Sequence, residues 1–311
     1  TAMCPIIYGG IPVFADIEED TFCLCLNSVK KNLTKKTKAI IAVNLFGHPA
    51  RLHELRKLAD EKGIFLIEDN AQSMIAKENQ KYTGTIGHIG VFSLNYHKHI
   101  HTGEGGMCCT NDDNLAERLQ LIRNHAEAVV EDANVSNLVN MIGFNYRMTE
   151  MSAALGIVQL KNVKKNVKKR LEFARSLNNK LNNLIGIELP KTRINCTHSY
   201  YNWMIKFNKE VLGVDRDIFV KALQAEGVPC FSGYLKPLYH LPVFQKKIAI
   251  GHKNFPFNLT KRNYHNNLCP VAEKLYQEKF IGLEICAWEM NTKLVEQLIQ
   301  AFYKVYDNLN D

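Results

Sequence analysis

Residues 93–106, SLNYHKHIHTGEGG, form the densest group of reactive side chains in the sequence. Lys98 stands between His97 and His99, a few residues before a glycine-rich turn. Neighbouring cationic groups and burial disfavour the charge on a lysine, and the neutral amine is a nucleophile. Composition alone favours the simpler interpretation, a lysine that faces solvent.

The histidines of this segment also raise the question of a metal site. His97, His99 and His101 alternate, so on a strand they would share one face. No carboxylate or cysteine completes the set at the usual ligand spacing, and we therefore predict no metal. The run GEGG supplies backbone freedom for a turn but lacks the GxGxxG spacing of a dinucleotide site.

A second polar group, EDNAQ, covers residues 68–72 directly after an apolar run. Asp69 could cap a helix that begins near Ala71. A carboxylate at the end of a strand could instead pair with a cationic ligand. The residues alone favour the cap.

The elements that must position these groups alternate between strand and helix. Predicted strands cover residues 11–15, 38–45, 64–67, 90–94 and 106–110, and predicted helices cover 22–33, 52–62 and 112–125. This alternation predicts an α/β fold with parallel strands. Asp69 and Lys98 both follow predicted strand ends, the edge of such sheets where ligands bind.

The remainder of the chain changes character. A long helical pattern runs over residues 149–184, with Gly156 as an expected interruption, and helix and strand patterns then alternate irregularly up to a final helix over 291–309. We predict a large domain over residues 1–185, including the long connecting helix, and a smaller α+β domain over 186–311.

Composition excludes several classes of protein. The sequence has 39 Lys and Arg residues against 31 Asp and Glu residues. The basic run 161–170 lies in a long helical pattern, and its aliphatic residues fall at helical spacing. This pattern is typical of a solvated helix face rather than of a nucleic-acid site. No apolar run approaches the ~20 residues of a membrane span, and no secretory signal opens the chain. The nine cysteines include no CxxC pair, which argues against a disulfide framework and against a structural zinc site. We therefore predict a cytoplasmic protein that binds neither nucleic acid nor membrane.

Several blocks in the order found here resemble the DegT-type sugar aminotransferases, enzymes of fold type I that depend on pyridoxal 5′-phosphate (PLP). The matching blocks are residues 9–17, 38–50, 64–73, 92–107, 143–160 and 226–239. The resemblance implies a mostly parallel central sheet covered by helices, with a smaller C-terminal α+β domain. It extends over nearly the whole chain, and ordered blocks are more specific than any single motif.

The resemblance also assigns roles to single residues. Lys98 matches the catalytic lysine that holds the cofactor aldehyde and later moves a proton. Asp69 matches the aspartate at the pyridine nitrogen, and Gln72 the glutamine beside the ring. Ser93 matches a phosphate ligand, and Asn145 an asparagine that reaches the phosphate from the partner subunit.

Other positions match the family at the mouth of the substrate site. His198, Tyr200 and Tyr201 resemble its HSYY segment, and Tyr234 lies in a matching GYLKPLY block. We expect His198, Tyr200 and Tyr234 to contact substrate, although core packing explains the same aromatic residues equally well. Ala126 stands where a glycine is common, so a positive φ there would add modest strain.

The family implies a homodimer that transfers an amino group, with L-glutamate as donor, to a nucleotide-linked keto-sugar for surface polysaccharide. We find no Ser-Gly-Thr phosphate turn, and so expect the PLP domain to be incomplete at its N-terminus. Two alternatives stay open: a non-catalytic relic or binding or regulatory homologue, and a PLP-dependent sugar dehydratase. Related dehydratases carry histidine at the lysine position, and the register of Lys98 favours amino transfer.

Overall fold

The computed structural model describes residues 1–127, 138–287 and 291–309. Its strands are β1 (Ala39–Val43), β2 (Phe65–Asp69), β3 (Lys77–Glu78), β4 (Lys81–Tyr82), β5 (Ile89–Ser93), β6 (Gly106–Cys109), β7 (Ile187–Glu188), β8 (Cys196–Thr197), β9 (Trp203–Phe207), β10 (Cys230–Ser232) and β11 (Phe280–Leu283). Its helices are α1 (Cys4–Ile7), α2 (Leu26–Asn32), α3 (Leu52–Lys62), α4 (Asp113–Arg123), α5 (Glu150–Leu181), α6 (Lys209–Leu212), α7 (Arg216–Ala225), α8 (Pro242–Gln245), α9 (Pro270–Lys274) and α10 (Thr292–Asp307).

The first sheet has the order β1-β2-β5-β6. Its first three strands are parallel and β6 is antiparallel to β5, so the sheet is mostly parallel, as predicted. Val43 pairs with Asp69, and Asp69 with Val91, which places Asp69 at the carboxyl end of the central strand β2. The loop that carries Lys98 leaves the end of β5, at the same edge.

Capping residues close in sequence determine where the helices beside the first sheet begin and end. Helix α3 covers the predicted residues 52–62 and ends at Gly63, whose φ of 62° is the left-handed conformation of a helix cap. Asp112 caps α4 by accepting a hydrogen bond from Leu115 N at 3.0 Å. These helices begin and end where turn and capping residues direct them.

The long helix α5 is continuous over 32 residues. Thr149 caps it by accepting from Ser152 N at 3.2 Å. Gly156 lies inside it without a break, so the predicted interruption is wrong: the bonding of the surrounding turns outweighs the cost of one glycine.

The last turns of α5 pack against a second sheet, β10-β11-β9-β7, in which all pairs are antiparallel. Leu177, Trp203, Ile205, Phe219 and Phe302 lie at the centre of this core and are completely shielded from solvent. The helix thus connects two parts of the protein, while the domain boundary near residue 186 stays a prediction.

Two further local predictions are wrong. Residues 11–15 form no strand, because Phe14 packs against Tyr239, Phe244 and Tyr264 instead of joining a sheet. The helix expected from residue 22 begins only at Leu26, since Phe22 has a φ of 62°. The histidine segment after β5 forms turns and bends, so its alternate side chains do not share the face of a strand.

The alanine at position 126 has a φ of 58°, which confirms the strain expected there. Within the described ranges, no helix combines the length and the apolar character that a membrane crossing requires.

Candidate active site

The carboxylate of Asp69 is held in a fixed orientation at the end of β2. Its Oδ1 accepts a hydrogen bond from Ala71 N at 3.0 Å, and its Oδ2 accepts one from Thr1 Oγ1 at 2.6 Å. The helix expected near Ala71 does not form, so that prediction is wrong. Asp69 caps a turn instead, because residues 70–75 turn back towards the sheet.

Glu68, the residue before Asp69, anchors the same strand end. Its side chain is fully buried and accepts backbone N–H groups of Gly84 (2.6 Å), Ile86 (2.8 Å) and Gly87 (2.5 Å). Burial raises the pKa of this carboxyl, while these donors favour its charged form. Sequence reasoning missed this residue, because one buried carboxylate next to another polar residue gives no periodic signal.

Gln72 joins three distant parts of the chain. Its Nε2 donates to the hydroxyl of Tyr234 at 2.8 Å, and its Oε1 accepts from the backbone N of Phe46 at 2.8 Å. The rings of Phe46 and Tyr234 meet edge to face, with centroids 5.0 Å apart. Two predicted site residues, 162 positions apart in sequence, are therefore in direct contact.

Lys98 lies half-buried in the loop after β5. The loop is closed at its base, where Leu94 N donates to Gly105 O at 2.8 Å and Thr102 N to Leu94 O at 3.0 Å. Among the described residues, Lys98 Nζ has no hydrogen bond or ion pair; it lies 4.5 Å from the centroid of the Tyr201 ring.

The electrostatic surroundings of Lys98 link it to Asp69. Burial lowers the pKa of the Lys98 amine, and the negative charges of Asp69 and Glu284 act in the opposite direction. An amine with a lowered pKa is neutral in a larger fraction of molecules at neutral pH, the form a nucleophile or base requires. Burial is the largest cause of the lowered pKa, and the thiol of Cys286 opposes it before the two carboxylates do.

The three histidines of the segment point to different partners. His99 is buried and its Nε2 lies 2.9 Å from Ser199 O, and burial lowers the pKa of His99 to about 3. His101 Nδ1 accepts from Gly103 N at 3.3 Å, and the His97 ring lies against Tyr201. In the part of the chain that the structure describes, no three His, Cys, Asp or Glu side chains could hold a metal ion.

The two predicted phosphate ligands lie on different segments and have different partners. Ser93 ends β5 opposite Gly106, and its hydroxyl accepts from Asn95 N at 3.3 Å. Asn145 is exposed and makes a backbone bridge to Asn124. Both phosphate roles stay predictions.

The residues expected at the substrate mouth divide into two groups. Tyr234 joins the site through Gln72, as described above. His198 and Tyr200 are buried, and their rings stack with centroids 3.9 Å apart. Burial lowers the pKa of His198 well below its ordinary range, and lowers that of the adjacent His48 to about 4. Contact of His198 and Tyr200 with substrate stays a prediction, while their neighbour Tyr201 faces Lys98.

A surface cavity of about 410 Å³ lies beyond Tyr234. Its wall includes His240 and Glu273, whose Nε2 and Oε1 atoms are 3.6 Å apart, and Glu273 also accepts from Asn267 N at 2.7 Å. None of the predicted site residues lines this cavity. The reactive groups lie instead at the ends of β2 and β5.

Comparison with known proteins identifies the family of the chain. The model of the DegT/DnrJ/EryC1/StrS aminotransferase family matches residues 1–282. This chain is a member of that family. The match covers the site residues at both strand ends and confirms the predicted family and fold class.

Individual relatives of this DegT family protein are sugar enzymes. GDP-perosamine synthase of Vibrio cholerae is 32% identical over 237 residues, or 76% of this chain and 63% of the synthase. An aminotransferase structure from Psychrobacter cryohalolentis is 29% identical, with a TM-score of 0.82 over 97% of this chain and 77% of that one. The chain therefore spans less than two thirds of the length of the synthase.

A second solved relative bears on cofactor and reaction. The structure of the E. coli GDP-4-keto-6-deoxy-D-mannose-3-dehydratase with bound hydrated PLP is 26% identical, with a TM-score of 0.75 over 93% of this chain and 73% of that one. PLP is thus the cofactor of the family, as predicted. Both sugar amino transfer and sugar dehydration occur among these relatives.

Proposed function

We propose that this DegT family protein binds PLP and transfers an amino group from L-glutamate to a nucleotide-linked keto-sugar, giving an amino sugar for surface polysaccharide. The observation that carries the proposal is Lys98, a half-buried amine without a hydrogen-bonding partner in the described residues, on the loop that leaves the sheet edge where Asp69 ends β2. Amine and carboxylate are the pair that PLP chemistry requires, and the family supplies the cofactor.

The residues present fit PLP by the chemistry of their side chains. When bound, PLP supplies an aldehyde that condenses with amines and a ring that withdraws electrons when its nitrogen is protonated. Asp69 would hold that proton on Oδ2, the oxygen that accepts from the Thr1 hydroxyl here, while the Ala71 N–H orients the carboxylate through Oδ1. Gln72 is held from both ends by Tyr234 and Phe46, so its amide offers a fixed polar surface beside the ring.

Lys98 has two tasks in this proposal. Its neutral amine would hold the cofactor aldehyde, and once released from it, Nζ would be the group that takes up and gives back a proton. The aromatic face of Tyr201 limits where the amine can lie while providing no proton acceptor. Ser93, and Asn145 of a second copy, would donate hydrogen bonds to the phosphate.

A homodimer follows from this role of Asn145. The adjoining first turns of α5 expose Met151, Leu155 and Val158, which recur at helical spacing on one face. An exposed apolar stripe next to a polar residue is typical of a protein interface. We expect a Met151→Glu and Val158→Glu double variant to reduce the mass measured by light scattering from that of a dimer to that of a monomer.

We also place the protein in the cytoplasm. All nine cysteines are free thiols, several of them buried. Free thiols are typical of a reducing compartment.

Dehydration is the second candidate, favoured by the likeness to the dehydratase. The dehydratases that this family resembles carry a histidine base at the position of Lys98, whereas this chain has the lysine there, and the neighbouring His99 is buried against Ser199. The group free to move a proton is therefore the lysine. Product analysis separates the two reactions, since one gives an amino sugar and the other a deoxy sugar.

The decisive experiment maps the lysine that captures the cofactor. Purified protein is mixed with PLP, reduced with borohydride, digested and examined by mass spectrometry. We expect the pyridoxyl group on Lys98, no such label in Lys98→Arg, and bleaching of the bound chromophore by L-glutamate. Label on a different lysine, or none, would refute the proposal and favour the non-catalytic interpretation.

A further inference from the structure

The turn that follows β1 has an unusual backbone. Phe46 has a φ of 57° and a ψ of 3°, a left-handed conformation that is uncommon for a bulky residue, and Gly47 follows with a φ of 102°. Strain of this kind persists only where surrounding contacts stabilise it, and it is found most often at functional sites. The contacts of these two residues, which we name the Phe46–Gly47 turn, therefore indicate the role of the strain.

The N–H group and the ring of Phe46 both act on Gln72. The N–H donates to Oε1 of Gln72 at 2.8 Å. The ring meets that of Tyr234 edge to face, with centroids 5.0 Å apart, and the hydroxyl of Tyr234 accepts from Nε2 of Gln72 at 2.8 Å. The amide of Gln72 is thus held directly by the backbone of Phe46 and indirectly by its buried ring.

The carbonyl groups of the same turn hold the segment that packs against Lys98. Phe46 O accepts from Tyr201 N at 2.8 Å, and Gly47 O accepts from Ser199 N at 2.9 Å. The ring of Tyr201 has its centroid 4.5 Å from Lys98 Nζ. One hydrogen bond therefore separates the strained residue from the aromatic ring that covers the amine.

Gly47 allows this segment to approach the turn closely. A Cβ at position 47 would lie 2.7 Å from Ser199 Oγ, 2.7 Å from Tyr200 N and 3.0 Å from Tyr201 N. Real Cβ atoms do not approach backbone nitrogens so closely, and a φ of 102° is a conformation that glycine alone adopts readily. Any larger residue at this position would push residues 199–201 away from the turn.

We propose that the Phe46–Gly47 turn is the positioning element of the cofactor site: it fixes Gln72 beside the PLP ring and the Tyr201 ring against Lys98. Because one turn holds both groups, it also keeps their spacing constant, and a shift of the turn displaces them together. This inference rests on the proposed function and adds to it two residues that act through Gln72 and Tyr201.

Gly47→Ala tests the contact between the turn and residues 199–201. The added Cβ displaces this segment, so its amides should exchange with deuterium about tenfold faster, the factor expected for backbone strain of this kind. Hydrogen-exchange mass spectrometry of the PLP-free protein measures the change, and PLP binding should weaken in parallel. Gly63→Ala is the matched control, because Gly63 also has a positive φ, of 62°, but no described atom lies within 4 Å of a Cβ added there. It should leave the exchange of residues 199–201 and the binding of PLP unchanged.

Phe46→Leu tests whether the turn acts on the bound cofactor. Leucine keeps an apolar side chain in the buried cluster but removes the ring that supports Tyr234, the partner of Gln72. We expect the Kd for PLP to rise about two- to tenfold, the factor that one edge-to-face pair represents, and the absorption maximum of the bound chromophore to shift. Phe22→Leu is the matched control: Phe22 is buried in the same cluster with a φ of 62°, and its ring packs against Phe46 and Phe280. It should leave the Kd and the absorption maximum unchanged.

Three results would overturn the inference while leaving the proposed function in place. They are equal changes in Phe46→Leu and Phe22→Leu, unchanged exchange of residues 199–201 in Gly47→Ala, and wild-type PLP binding by Gly47→Ala despite faster exchange. The leucine pair decides the question where Gly47→Ala does not fold. Wild-type protein that takes up no PLP on Lys98 would overturn the proposed function, and this inference with it.

Discussion

Replacement of Glu68 by glutamine tests how the strand end that carries Asp69 is held. The fully buried carboxylate of Glu68 accepts N–H groups of Ile86 and Gly87 on one oxygen and of Gly84 on the other. A glutamine of the same shape offers only one oxygen. The better rotamer keeps that oxygen on the two donors and turns its NH₂ group towards the N–H of Gly84.

The expected loss follows from the contacts. One hydrogen bond to a charged acceptor, worth ~1.5–3 kcal/mol, disappears, and a buried N–H without a partner costs ~1–3 kcal/mol more. These contributions overlap, because both concern the same N–H group. We therefore expect Glu68→Gln to lower the free energy of unfolding by about 3 kcal/mol.

Urea unfolding followed by circular dichroism measures this change. The matched control is Glu61→Gln on the exposed face of α3, which should stay within about 0.5 kcal/mol of wild type. Asp69 is the next residue, so the stability loss should be accompanied by weaker PLP binding. A loss below about 1 kcal/mol for Glu68→Gln would refute the view that these three N–H groups hold the strand end.

Three further outcomes are expected. Tyr234→Phe removes the partner of Gln72 and should cost about 1 kcal/mol in urea unfolding, whereas Tyr234→Phe in a Gln72→Ala background should cost clearly less. Thr149→Ala removes the cap of α5 and should also cost about 1 kcal/mol, while Thr149→Ser should cost little; equal losses would contradict the cap. The buried histidines stay neutral in the folded state, so the unfolded chain binds more protons below pH ~6.5 and stability should fall as the pH falls. His99→Gln should reduce that slope by about 1 kcal/mol per pH unit on average between pH 7 and 5, as measured by urea unfolding, and an unchanged slope would show that His99 is protonated in the fold.

The strands and helices of the first sheet could be predicted because each local signal agreed with the fold. Helix α3 has its predicted bounds, since apolar spacing and Gly63 indicate the same end. Residues 11–15 carry an apolar pattern typical of a strand, but tertiary packing of Phe14 against aromatic rings prevails there. The strand propensity of a segment is overridden where side chains distant in sequence bury its residues better than a sheet would.

The site itself could be predicted only in part. Asp69 and Lys98 follow predicted strand ends, and the topology of a parallel sheet brings such ends together. Tyr201 lies far along the chain, just before the antiparallel strand β9, and no spacing rule connects it with Lys98. Its contribution depends on how the second sheet meets the first, which periodicity within one segment does not encode.

The hydrogen bond between Gln72 and Tyr234 also bears on how the protein is made. The ribosome synthesises the chain from the N-terminus onwards, so the segment with Lys98 emerges well before the segment with Tyr234. Contacts between residues so distant in sequence form late, because a long loop must close first. The amine of Lys98 therefore acquires its aromatic surroundings only after the segments with Tyr201 and Tyr234 have been synthesised, and a nascent chain that stalls before them displays an ordinary lysine.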